Sequence, residues 1–142
     1  MTVNDFWALS PEIAMALLAL VVVTADLITR NVVKVLFVAF VGLIAPLVLA
    51  LNLWYGWFGA SVAGPTLFGT IEADRFSLFF KFLLITVSAG TILASVKYIA
   101  ADRMKNYGGE FVSLLLLSVT GMMLLVSATE LITIYVALEL SA

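Results

Sequence analysis

The sequence predicts an all-α membrane protein with four complete transmembrane helices and the start of a fifth, and three observations predict it. Of its 142 residues, 64% are hydrophobic and only 11% charged. The mean hydropathy is +1.21. The charged residues cluster between apolar runs long enough to cross a bilayer. A soluble domain has a roughly even apolar share and covers its surface with polar side chains. Seven basic and nine acidic residues are too few for that, so the solvent of most of this chain is lipid.

A spanning helix needs about 20 mainly apolar residues, because the hydrocarbon core is about 30 Å thick and each helical residue rises about 1.5 Å. The first such run covers about residues 13–29, opened by Pro11 and Glu12 and closed by Arg30. A proline at the head of a helix gives up only a donor that would be unpaired anyway. This run reads as a retained helix and not a signal peptide: Asp5 and Glu12 precede it where a basic region would be needed, and no small-residue cleavage site leading into a soluble domain follows. The second run covers about 32–53, and no charge occurs between Lys34 and Glu72. The third covers 76–96, and the fourth 111–127, inside the charge-free window from Glu110 to Glu130. A fifth begins near Glu130 and occupies 130–142, where it is cut short. Residues 1–142 thus read as a single transmembrane helical unit, with no internal repeat or low-complexity segment.

Orientation follows from the basic residues of the short connections. Arg30 and Lys34 lie between segments 1 and 2, and Lys97, Arg103 and Lys105 between segments 3 and 4. The opposite side carries only Arg75, with Lys81 left out because it lies inside a helix. This places the N-terminus outside, on the periplasmic side of a plasma membrane or its equivalent. In the 2–3 connection Trp54, Tyr55 and Trp57 stand where an interfacial aromatic belt is expected. Gly56, Gly59, Gly64, Pro65 and Gly69 then break any helix, and the alternating stretch 70–74 is compatible with a short outer-face hairpin or a plain loop.

Composition also excludes functions. Without cysteine or histidine, this stretch has no disulfide framework, no thiolate metal cluster, no usual ligand set for haem or iron-sulfur centres and no histidine general base. Any redox cofactor is expected in another chain. A net charge of −2 offers no basic surface for nucleic acid.

Ionisable side chains at membrane depth cost about 2.5 to 3.5 kcal/mol each on insertion scales, so each requires a reason. Asp26 stands one turn before Arg30, a spacing that lets the two pair at the interface. Lys81 is about one and a half turns into the third segment and is expected to snorkel outward, with Asp74 on the same face to hold it. Glu130 suits the positive end of the fifth helix. Glu139 is different. It lies about 13 Å further along that helix, near the bilayer midplane, where no lysine or arginine of the chain reaches. A carboxylate there either carries a proton or faces a basic partner or water from another helix, which is what a proton relay requires; the plainer reading is an interfacial residue near a chain end. Ser113, Thr120 and Ser127 recur every seven residues, and Ser88, Thr91 and Ser95 share a face. Such stripes of small polar residues let helices approach closely, with Gly121, Met122 and Met123 as adaptable packing at the same contact.

Against this background a resemblance becomes specific. Gly109-Glu110-Phe111, Leu114 to Ser118, Gly121 to Leu125, Ser127-Ala128, Leu131, Tyr135 and Leu138-Glu139-Leu140-Ser141 resemble helices 4 and 5 of the subunit N family of proton-translocating NADH-quinone oxidoreductase, respiratory complex I. Pro11-Glu12, Asp74-Arg75-Phe76-Ser77 and Phe79-Phe80-Lys81 resemble the first and third helices of the same family. The Asp-x-Phe-Ser element points to subunit N over the related L, M and cation/proton antiporter subunits. The resemblance implies that Glu139 is a mid-membrane proton carrier paired with a lysine on helix 7, that the N-terminus is periplasmic, and that flavin and iron-sulfur clusters reside in partner subunits. It further implies other membrane-arm subunits as partners. Family members have about fourteen helices with inverted repeats and broken helices at the hydrated path. The chain is therefore expected to be the N-terminal part of such a subunit, a fragment or one piece of a split one. A cation/proton antiporter subunit of the same superfamily and a non-catalytic membrane scaffold remain open at this point.

Overall fold

The computed structural model describes residues 7–29, 31–56, 65–66, 71–72, 74–99 and 107–142. In chain order these form α1 (Ser10–Thr29), α2 (Val32–Gly42), α3 (Ile44–Tyr55), β1 (Pro65–Thr66), β2 (Ile71–Glu72), α4 (Arg75–Ile99), α5 (Gly108–Ser127) and α6 (Leu131–Ser141). Among the described residues, four crossings are long and apolar enough for a bilayer: Ser10–Thr29, Val33–Tyr55, Arg75–Tyr98 and Gly108–Ser127, with the shorter apolar Leu131–Ser141 after them. The four complete spans expected from composition are present.

Local chemistry sets the helix ends. Ahead of α4, Asp74 acts as an N-cap: the Ser77 amide donates to Asp74 Oδ1 at 2.7 Å, and the Ser77 hydroxyl donates to the Asp74 carbonyl at 3.0 Å. The carboxylate is thereby committed to the backbone, which corrects its expected role as a tether for Lys81. At the end of α3, Gly56 adopts φ 65° and ψ 28°, a left-handed conformation that costs a glycine little. Its amide closes the helix on the Asn52 carbonyl at 2.8 Å.

The second crossing, expected as one run over 32–53, consists of two helices that meet at Leu43. Pro46 is the cause. It has no N–H to donate to the Gly42 carbonyl, and its ring crowds that turn. The ladder resumes on either side, from Leu43 N–H to Ala39 O at 3.1 Å and from Leu47 N–H to Leu43 O at 3.3 Å. In the connection that follows, β1 and β2 pair antiparallel, Pro65 opposite Glu72 and Thr66 opposite Ile71. Trp54 and Tyr55 are exposed at the end of α3, and Trp54 meets Phe82 edge to face at 6.1 Å. Trp57 lies outside the described residues.

The bundle is organised around α5, which packs against α1, α2, α4 and α6. Its core joins Met15, Leu18, Ala19 and Val22 of α1 to Val35, Leu36 and Ala39 of α2, Ile85 and Ile92 of α4, and Val112, Leu116, Val119 and Met123 of α5. Spacings of three and four residues place these on single helix faces. The opposite faces are also apolar but exposed, as at Leu27, Ile28, Phe37 and Leu131, which suits contact with lipid. Ser113, Thr120 and Ser127 are all buried along α5, whereas Met122 turns outward and Met123 inward. On α4, Ser88 is buried while Thr91 and Ser95 are half-buried.

At the α5/α6 contact the backbone of α6 leaves no room for a side chain at Gly121. A Cβ at Gly121 would stand 2.5 Å from Ser141 N and 2.8 Å from the Leu140 carbonyl carbon, whereas one at Gly90 would meet nothing. Gly121→Ala is therefore expected to destabilise the protein by about 1–3 kcal/mol through forced separation of the two helices. Gly90→Ala should be neutral or stabilise by up to about 1 kcal/mol through helix propensity. Thermal unfolding of the purified protein in detergent, followed by circular dichroism, separates the two.

Candidate functional site

Two carboxylates stand out, and the structure treats them oppositely. Glu139 sits on α6 with its side chain on the exposed surface. The Tyr135 hydroxyl, one turn earlier, donates to Glu139 Oε1 at 3.1 Å. The opposite side of α6 is tied to α5 by the Gly121 approach and by the Ser118 hydroxyl, which donates to the Ser141 carbonyl at 2.6 Å. The face that carries Glu139 is thus turned away from the bundle. Glu130 occupies the N-cap position of α6 and is exposed, without a side-chain capping bond.

The second carboxylate was not read from the sequence as a site residue. Glu12 lies in the first turn of α1, and its Oε1 is 2.6 Å from Lys81 Nζ of α4, with side-chain exposures of 3% and 0%. Lys81 therefore does not snorkel; it points into the bundle and ends on a buried anion. The Ser127 hydroxyl, at the end of α5, donates to the same Glu12 oxygen over 3.4 Å. Three helices thus meet at one polar cluster. Among the described residues, Glu12 Oε2 has no hydrogen-bond partner, and Lys81 Nζ makes no hydrogen bond of good geometry.

The signal for this pair is present in the sequence as periodicity. Lys81 falls on the series Leu78, Lys81, Ile85, Ser88, Ile92, and Glu12 on the series Glu12, Met15, Ala19, Val22; all nine residues are buried. A charge on a core-facing stripe needs an opposite charge on a neighbouring stripe. The snorkelling expectation used distance from the helix end and ignored which face the residue occupied.

At the other end of the bundle Asp26 is half-buried and packs on Gly109 so tightly that a Cβ there would overlap its carboxyl group. Its expected partner Arg30 lies outside the described residues. Among the described residues, no group of three or more histidine, cysteine, aspartate or glutamate side chains comes together to hold a metal.

No family model matches the chain. Individual curated proteins do. The chain is 35% identical to NADH-quinone oxidoreductase subunit N 2 of Koribacter versatilis over 97% of its own length and 28% of the relative's. It is 36% identical to NADH-quinone oxidoreductase subunit N of Erythrobacter litoralis over 93% of its length and 27% of the relative's. With NAD(P)H-quinone oxidoreductase subunit 2 of Thermosynechococcus vestitus it shares 34% identity over 91% of its length and 24% of that protein's. The chain spans about a quarter of the length of these relatives.

Breaking a buried pair by removing one partner leaves an uncompensated charge and costs about 3–5 kcal/mol, whereas replacing both is often close to neutral. Lys81→Met and Glu12→Gln should each destabilise by about that amount, and the double variant should recover most of the loss. Unfolding midpoints of the purified proteins in one detergent check this.

Proposed function

We propose that this chain, which is related to subunit N of NADH-quinone oxidoreductases along nearly its whole length, contributes to proton translocation in the membrane arm of such a complex. Glu139 is the proton carrier of this reading. The observation that supports it is the setting of Glu139: the single charged residue of α6, facing away from its own bundle, with only the Tyr135 hydroxyl bonded to it among the described residues. About 13 Å of helix separates it from Glu130, a distance that supports a mid-membrane depth in this reading.

A carboxylate in that setting depends on what a further helix brings to it. Ionised, it needs a cation or water supplied by a further helix; protonated, it is neutral and tolerates hydrocarbon. A neighbouring cation that moves or loses its charge shifts the balance, because charges interact strongly where water is scarce. That coupling lets a charge change at one site release or bind a proton at the next. Tyr135 holds the carboxylate in one orientation while offering it a hydroxyl that can donate or accept.

The chain is multi-pass in a plasma membrane of bacterial type in this reading, with its N-terminus on the periplasmic side; the basic residues Arg30, Lys34, Lys97, Arg103 and Lys105 in the connections of the other side support it. Other membrane-arm subunits are its partners, and flavin and iron-sulfur chemistry resides in subunits that have the cysteines and histidines this stretch lacks.

Glu139→Gln in the assembled complex should lose most of the proton translocation driven by NADH, and Glu139→Asp should retain more of it. Acidification by inside-out membrane vesicles, measured together with NADH oxidation, reads both. Wild-type proton flow per electron in Glu139→Gln would remove the proposed role.

A further inference from the structure

We infer that Glu12, Lys81 and Ser127 form a second proton-exchange site, separate from Glu139, in which a proton passes between the Lys81 ammonium and the Glu12 carboxylate. The first ground is proximity: Lys81 Nζ and Glu12 Oε1 are 2.6 Å apart, with no group between them. The second is burial. Both side chains are closed off from the surface, so the two groups face each other without bulk water around them.

The third ground is incomplete bonding. A buried ion pair that serves only as a clamp is stable when its remaining lone pairs and protons are satisfied. Here Glu12 Oε2 has no partner among the described residues, and the ammonium, which has three protons to give, contacts one carboxylate oxygen. Unmet donors and acceptors within one cluster suit transient water, the ordinary carrier of protons. The hydroxyl of Ser127, able both to donate and to accept, stands at the same oxygen.

The exchange balances without any other reactant. An N–H bond of the Lys81 ammonium breaks and an O–H bond forms on Glu12, giving a neutral amine and a neutral carboxylic acid. The amine then takes a proton from water, and the acid releases one to water, which restores the ion pair. One proton has moved from the lysine side to the glutamate side. The cluster lies at the end of the bundle where α1 and α4 begin and α5 ends. The other charged groups described at that end, Asp74 and Arg75 at the head of α4 and Glu130 at the head of α6, are exposed. Asp74 is also occupied by the Ser77 amide. From α5, the Ser127 hydroxyl reaches the cluster.

Lys81→Arg tests the site, because a guanidinium keeps the ion pair but cannot give up its proton. The double variant Glu12→Gln/Lys81→Met removes both charges and keeps the fold testable if the arginine is too bulky. The readouts are the deuterium-sensitive carboxylic C=O band in the infrared spectrum of the membrane-embedded protein, and proton flow per electron in vesicles. The expected results are a band lost in Glu12→Gln but kept in Glu139→Gln, and normal assembly with loss of proton flow in Lys81→Arg and in the double variant. Infrared bands unchanged by Glu12→Gln would overturn the inference, as would wild-type proton flow in either Lys81 variant. The vesicle readout rests on the function proposed above, and the infrared one does not. A Glu12-dependent band in membranes without NADH-driven proton flow would sink the proposed function and uphold this site.

Discussion

Hydrocarbon neither donates nor accepts hydrogen bonds, so every backbone polar group of the crossings must find its partner inside the protein. That constraint selects helices for the crossings, because a helix satisfies its backbone within a single segment. It also explains what the hydroxyl side chains do. Thr86 donates to Phe82 O at 2.8 Å, Ser88 to Ile85 O at 2.7 Å, Ser113 to Glu110 O at 2.8 Å and Thr120 to Leu116 O at 2.8 Å. Each hydroxyl folds back on the carbonyl three or four residues earlier, which hides its polarity and keeps the side chain short enough for a neighbouring helix to approach. The break at Leu43 is tolerated on the same terms: Pro46 removes one donor, and the flanking hydrogen bonds continue.

Under the same constraint the Glu12–Lys81 pair links helices that are distant in sequence. A lone charge in this interior would be prohibitive, and two opposite charges at 2.6 Å are tolerable. The pair thus specifies which faces of α1 and α4 meet, since any rotation of either helix would expose one charge to lipid or leave the other alone. Ser127 extends the link to the end of α5, three residues before the cap of α6.

The two carboxylates represent two solutions to one physical problem. Glu12 is neutralised by a cation from its own chain and sealed from the surface. Glu139 projects from the bundle with a tyrosine hydroxyl as its bonded neighbour, on a helix whose other side is locked to α5 at Gly121 and Ser118.

Much of the architecture was legible from residue order alone. Composition identified the solvent as lipid, the gaps between charges located four crossings, and the seven-residue spacing of Ser113, Thr120 and Ser127 marked a packed face of α5. The resemblance of the Asp74–Lys81 and Gly109–Ser141 stretches to subunit N agreed with the relatives later matched. Only the tertiary structure decided where Lys81 goes, that Asp74 serves the backbone, and that Glu12 and Ser127 share a cluster. The reason is that hydropathy and depth are properties of one segment and can be summed along the chain. Pairing depends instead on how each helix is rotated about its axis, which is set by all the helices packing at once.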